Sequence, residues 1–294
     1  MPESLGELRS RLGGFVPRPQ LADYAKKYAE YIHLEREGGL LEFRIHHADG
    51  PAILSLAARD AWVQALLEVS NDPENEVIII TGTGDAWIGG IDPASFARVG
   101  DASSDVTYEH FYANTRKLLE HVLFNIEVPV IAAVNGPGIH TEFAVFSDIT
   151  LATPTAEFVD AHFGVGIVPG DGMSLALQHF IGPKRAALAL YLDQVIGAND
   201  AERLGLINEV LELEDLMPRA REIAATILKA PRVTRRLTHA IIQRPWRRLL
   251  LDDGGFDLAH ELFGTSIVMK DSGATFVDDL KNRGDFDAEA SAGQ

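Results

Sequence analysis

The chain has 294 residues, 46% hydrophobic and 23% charged, enough apolar material for a large buried core. It contains no cysteine, which excludes disulfides, thiolate nucleophiles and cysteine-ligated metal centres. A net charge of −17 argues against nucleic acid as a partner, because that binding rests on Lys and Arg at phosphates, and no apolar run approaches the ~20 residues of a membrane span. The N-terminus has no basic segment followed by an apolar run, so a secretion signal is not expected and the cytoplasm is the expected location.

Residues 1–20, rich in Gly, Pro and Arg, read as a loose arm, and 24–31 have helical character. Two β-type runs, 32–36 and 40–46, flank Glu37-Gly38-Gly39 and predict a hairpin. Apolar spacing predicts a helix over 54–69, and EVIIIT at 76–81 reads as a strand buried on both faces. The following stretch 82–92, GTGDAWIGGID, reads as a glycine-rich loop whose backbone N–H groups suit an oxyanion; its spacing is not that of a phosphate loop.

Residues 107–124 predict an amphipathic helix and 129–134 a second buried strand. Short strands are expected at 149–152, 158–159 and 207–210, and helices at 142–146, 173–181, 184–192 and from 201 to Gly205. After residue 211 every periodic segment is helical, over 215–228, 232–242 and 246–268. The division that follows is an arm at 1–30, an α/β core at 31–211, a helical region at 212–270 and a flexible tail at 271–294.

The densest chemistry lies between 134 and 172, where His140, Glu142, Asp148, Asp160, His162 and Asp171 stand among glycines and apolar runs. No HExxH helix, tight ligand cluster or GxSxG elbow is present, so neither metal-assisted nor serine-triad hydrolysis is expected. The pair His46-His47 reads as hairpin surface rather than as a metal site.

Several pieces, in order and spacing, resemble the crotonase (enoyl-CoA hydratase/isomerase) superfamily from about residue 31 to 263. They are EVIIITGTGDAWIGGID, VPVIAAVNG with SDITLATPTAEF after it, GVGIVPGDG leading to HFIGPKRA, and LYLDQVIGANDAERLGLINEV before a helical tail. The resemblance implies an α/β spiral of ββα units and a C-terminal helical region that builds trimers or dimers of trimers. It also implies an enolate or oxyanion held by two backbone N–H groups.

Within the superfamily the chain departs from the hydratases. His162 stands where they carry a glutamate, Asp171 follows Pro-Gly where they carry a small residue, and Pro137-Gly138-Ile139-His140 replaces their glycine-rich segment. This set is similar to the β-diketone hydrolase branch, as is Ala-His-Glu at 259–261. The branch cleaves a C–C bond between two carbonyls by a retro-Claisen reaction, with no CoA thioester and no cofactor. Around 54–60, where the branch has a tryptophan and a further histidine, this chain has Leu54 and Arg59, which become candidate substrate contacts.

The resemblance thus implies a small-molecule diketone as substrate and a role for each candidate. His162 would activate water, because an imidazole accepts protons near neutrality, with Asp171 fixing its tautomer. The two are nine residues apart, so they meet only if 163–170 loops back, which Gly164, Gly166, Pro169 and Gly170 permit. His140 would bind a substrate carbonyl, Glu261 would orient or polarise from the C-terminal helix, and the N–H near Gly89 would donate to the oxyanion. Glu142 matches a hydratase glutamate and is either a substrate contact or structural, Asp148 caps or anchors its segment, and Asp160 orients a neighbour or faces water. The alternatives are an acyl-CoA hydratase or isomerase using Glu142, and a catalytically silent binding protein of the same fold.

Overall fold

A computed structural model describes residues 11, 13, 16–92, 94–95 and 104–272. Residues 1–10, 12, 14 and 15 of the expected arm and nearly all of the expected tail lie outside the described residues. The hairpin forms as the sequence predicts: β1 (Ile32–Glu37) and β2 (Leu40–Ile45) pair antiparallel. The turn between them uses Gly38 and Gly39 at φ 55° and 90°, a region that costs other residues a clash with Cβ.

Three parallel strands extend this edge inward, β4 (Val77–Thr81), β6 (Val130–Val134) and β7 (Ile149–Ala152), with two-residue β10 (Glu209–Val210) at the far edge. Every residue of β4 and β6 is buried, which is why both read as continuous apolar runs. On one face the sheet packs against helix Leu56–Asn71 and a helical rod over 104–125 in which α- and π-helical turns alternate. On the other face Val77, Ile79, Ile131, Ala133 and Leu151 meet Leu216, Ala220 and Ala224 of helix Leu213–Leu228. The helical region after 211 therefore begins with an element that shares an apolar layer with the sheet.

Two small ladders stand off the main sheet: β3 (Ala52–Leu54) with β5 (Ile88–Ile91), parallel, and β8 (Glu157–Phe158) with β9 (Ile196–Gly197), antiparallel. The β5 strand corrects the reading of 82–92 as a loop throughout. Its Ile-Gly-Gly-Ile has little strand propensity and is held by its partner. Likewise Leu54 ends β3, and the helix starts two residues later, with the Ser55 hydroxyl accepting from the Ala58 N–H at 3.0 Å as N-cap. The C-terminal helices Arg232–Leu249 and Gly255–Ser272 are joined by a π-helical turn, Leu250–Gly254. Among the described residues no helix is long and apolar enough to cross a membrane.

Candidate active site

Close backbone packing builds the first wall. A Cβ on Gly136 would lie 1.7 Å from the Asp85 carbonyl oxygen, and one on Gly138 would lie 2.6 Å from the Ile88 nitrogen, so only glycine lets this segment lie on 85–88. Trp87 N–H donates to the Pro137 carbonyl at 2.9 Å, and Ile139 N–H to the Ile88 carbonyl at 3.1 Å. The Trp87 indole N–H donates to the His140 carbonyl at 3.2 Å. His140 itself sits at φ 54°, a strained conformation for a residue with a Cβ, fixed by these contacts. Nothing in the sequence marked Trp87 as its support.

From this position His140 Nδ1 lies 2.9 Å from Glu142 Oε1 and 3.1 Å from Asp171 Oδ2. Glu142 opens the short helix Glu142–Val145, and Asp171 comes from the turn before helix Met173–Ile181. The loop from 163 to 170 does return as expected, through a left-handed Gly166, and brings Asp171 toward His162. His162 Nε2 stands 3.8 Å from Asp171 Oδ2, longer than a hydrogen bond. Its short contact is elsewhere, from Nδ1 to Asp160 Oδ1 at 2.7 Å. The sequence-predicted His162–Asp171 pair is thus a near contact. The cause is local: Asp160 lies two residues from His162 and reaches Nδ1 directly, while Asp171 is drawn to His140. The two rings lie 6.5 Å apart, centroid to centroid, with Asp171 addressing both.

The other candidates fall around this cluster to different degrees. Gly170 is pressed on the C-terminal helix, where a Cβ would meet the Asp257 carbonyl oxygen at 2.4 Å and Glu261 Cβ at 2.8 Å. That contact sets Glu261 beside the Asp171 turn. Gly170→Ala should therefore push the helix and Glu261 off the cluster. The expected cost is roughly 100-fold in turnover, the scale of a 1 Å misplacement, with secondary structure by circular dichroism unchanged. Wild-type turnover in this variant would show that the seating does not matter.

Gly89 is exposed and is skipped in the β3–β5 register, since Ala52 pairs with Ile88 and Ile53 with Gly90. Such bulges free a backbone position from the ladder. Leu54 is buried at the end of β3. Arg59 is buried on helix Leu56–Asn71, donating to Thr115 Oγ1 at 2.8 Å and to the His110 carbonyl at 2.6 Å. Asp148 lies away from the cluster, as an anchor for helix Arg232–Leu249.

Burial and charge act against each other throughout. Burial pulls the His140 imidazole down, but Glu142 and then Asp171 more than offset it and hold it at about 10. Burial pulls His162 down too, yet Asp171, Asp160 and Glu261 raise it well above the ordinary 6.5. Asp171 is held low, because the charges of His162 and His140 outweigh the burial that would raise it. Burial pushes Glu261 up to about 8, with His162 pulling down and Asp171 pushing further up. Burial and then Asp171 push Glu142 up to about 7, against His140. Burial lowers Arg59 to about 10, while Glu261 and Asp171 favour its charge.

This cluster can hold a cationic imidazole toward a carbonyl, give a basic imidazole nitrogen to a water, and supply a neutral carboxyl as proton donor. Beside Asp171 a small space of about 10 Å³, bounded by Leu119, Gly170, Gly172 and Leu258 among others, has room for about one water. A larger open hollow of about 560 Å³ lies between residues 16–19 and Leu67, Glu68 and Asn71, away from this chemistry. Two ligand triplets, His140/Glu142/Asp171 and Asp160/His162/Asp171, share Asp171 and have donor atoms close enough to receive a cation. A third, His33/His46/Asp49, is less suited. His46 Nε2 contacts the Ala29 carbonyl and its Nδ1 the Asp49 N–H, and its ring stacks on His33 at 3.8 Å.

Comparison with known proteins agrees with this architecture. The pattern of the enoyl-CoA hydratase/isomerase family matches residues 35–273. A crotonyl-CoA hydratase of Syntrophomonas wolfei is 34% identical over 217 residues, 72% of this chain and 80% of that protein. Among solved structures, a β-diketone hydrolase from the cyanobacterium Anabaena, bound to (S)-3-oxocyclohexyl acetic acid, superposes with a TM-score of 0.76. It is 34% identical and covers 88% of this chain and 98% of its own. An enoyl-CoA hydratase/isomerase from Mycobacterium paratuberculosis shares the fold with the same TM-score at 24% identity, over 86% of this chain and 98% of its own. A family pattern spanning most of the chain, on a parallel sheet with its glycine-packed His140 wall, makes this chain an enzyme of the enoyl-CoA hydratase/isomerase family, the crotonase superfamily.

Proposed function

We propose that this enzyme hydrolyses a C–C bond of a cyclic β-diketone by a retro-Claisen reaction, without a cofactor, in the cytoplasm. The observation that carries the reading is the pair of imidazoles, His140 and His162, on either side of Asp171. Hydratase chemistry has no use for two histidines there, whereas a diketone offers two carbonyls and needs one water. The Anabaena hydrolase supports it from outside: its bound compound carries a ketone and a carboxylate, the two groups that such a cleavage leaves.

The reaction balances over these residues. Water is held between His162 Nε2 and Asp171, and His162 takes its proton as the oxygen adds to one carbonyl carbon. The N–H near Gly89 donates to the oxyanion that forms. Collapse of the tetrahedral intermediate breaks the bond to the central carbon, whose electron pair passes into the enolate of the other ketone. His140, with Nδ1 on its two carboxylates, donates through Nε2 to that enolate oxygen. A proton then reaches the central carbon, and the raised pKa of Glu261 suits it to supply or relay that proton. Leu54 and Arg59 would bound the substrate.

Incubation with a panel of cyclic β-diketones, followed by loss of enol absorbance, tests the reading; no turnover across the panel contradicts it. A second reading, acyl-CoA hydration, is favoured by the identity with crotonyl-CoA hydratase and by Glu142 beside the site. Calorimetric binding of crotonyl-CoA would support it. A trimer or dimer of trimers built by the helical region is part of the proposal. Val233, Leu237 and Ile241 lie on one face of helix Arg232–Leu249, 67%, 62% and 67% exposed, and suit burial against another copy.

A further inference from the structure

We infer that Asp160, which neither the comparisons nor the family pattern singles out, is the positioning residue of His162, and that Asp171 instead serves the space between the two histidines. Its Oδ1 accepts from His162 twice, from the ring Nδ1 at 2.7 Å and from the backbone N–H at 3.2 Å. Two bonds to one oxygen fix both the backbone and the ring of the same residue, so His162 has little freedom to turn. Asp160 is buried, with its side chain 1% exposed, so water does not compete for it.

A carboxylate only accepts, so the ring nitrogen facing it must carry the hydrogen. In its neutral form His162 is therefore the Nδ1–H tautomer, with the lone pair on Nε2. That nitrogen faces Asp171 Oδ2 at 3.8 Å, a separation at which one water can touch both groups from the side. If Asp171 were the orienting partner, the free base would have to be Nδ1, which Asp160 already occupies. Asp171 is committed to His140 Nδ1 at 3.1 Å. The charged and titratable groups around His162 are thus Asp160 on its own loop, Asp171 on the next, Glu261 on the C-terminal helix and His140 across the site. Asp160 acts through His162 and touches no substrate. It sets the tautomer and stabilises the imidazolium that forms when water loses its proton.

The inference rests on the proposed hydrolysis only for its kinetic arm. The structural arm is heteronuclear NMR of histidine-labelled protein, which reads the His162 tautomer and titration midpoint with no substrate present. Wild type should show Nδ1–H. Asp160→Asn keeps the shape and an accepting oxygen but removes the charge, and should lower the His162 midpoint. Asp160→Ala should also release the tautomer preference. On a diketone that the wild type cleaves, Asp160→Ala should lose about 10–100-fold in kcat with KM nearly unchanged, and Asp160→Asn should lose less and move the acid limb of the pH profile to lower pH. Asp171→Asn should leave the Nδ1–H preference in place. If both Asp160 variants keep the wild-type tautomer and midpoint, or if Asp171→Asn releases the Nδ1–H preference, the assignment is wrong; a lower midpoint in Asp171→Asn is expected from the loss of its charge. Failure of the wild type to cleave any diketone would sink the hydrolase reading and leave the NMR result standing.

Discussion

His162→Ala should reduce diketone turnover by about 10²–10⁴-fold, the range that a positioned general base contributes. The loss should appear in kcat, because the water it activates is not part of substrate binding. His162→Gln, closer in size, should be as inactive, since an amide cannot take up the proton. The pH profile of the wild type adds a sign. His162 must be neutral to accept a proton, and its neighbours hold its pKa above 6.5, so kcat/KM should rise only as the pH climbs past that raised value. His140 must stay protonated to donate to the enolate oxygen and Glu261 to supply the proton to carbon, so the alkaline limb is set by the lower of the two, Glu261 at about 8, below His140 at about 10. The expected curve is a bell displaced to the alkaline side of neutrality. An acid limb centred at or below 6.5, or full turnover by His162→Ala, would remove His162 from the role.

The largest expected effect on stability lies outside the active site. Asp148 accepts from the Val130 N–H at 2.7 Å, from His239 Nδ1 at 2.8 and 3.1 Å, and from the Gln243 amide at 3.2 Å. The other ring nitrogen of His239 contacts the Ile126 carbonyl at 3.0 Å. This buried knot ties helix Arg232–Leu249 to the entry of β6. Asp148→Ala strands the Val130 N–H, removes the partner of His239 Nδ1 and takes one acceptor from the Gln243 amide, which keeps the Phe146 carbonyl at 3.2 Å, and should cost about 1–3 kcal/mol, the penalty of a buried polar group left unpaired. Urea unfolding at matched protein concentration measures it. A change within about 0.5 kcal/mol, typical of surface substitutions, would mean that water replaces the carboxylate there.

What the sequence made legible follows the physics of each signal. EVIIIT and PVIAAV are strands covered on both faces, and uninterrupted apolar runs of that length carry this message without a partner in view. The hairpin was legible because Gly38-Gly39 supplies the positive φ that its turn requires. The strand at 88–91 was not, because two of its four residues are glycine and its pairing with 52–54 is non-local. That the two histidines and Asp171 come together was legible through family positions. Their partners were not: Asp160 and Asp171 are both plausible neighbours of His162 in sequence, and only the path of the loop decides that Asp160 reaches Nδ1 while Asp171 turns to His140. Trp87 carried no signal, since its contact is with a backbone carbonyl.

The central claim is that the two histidines serve water and a carbonyl, where a hydratase would add water across the C=C bond of an enoyl thioester. It is tested most directly by mass spectrometry of the product formed from a cyclic β-diketone in heavy-oxygen water, with crotonyl-CoA offered to the same protein in parallel. The account predicts a ring-opened keto acid with one heavy oxygen in its new carboxyl group, and no hydration of the thioester. Unreacted diketone beside hydrated crotonyl-CoA would contradict it.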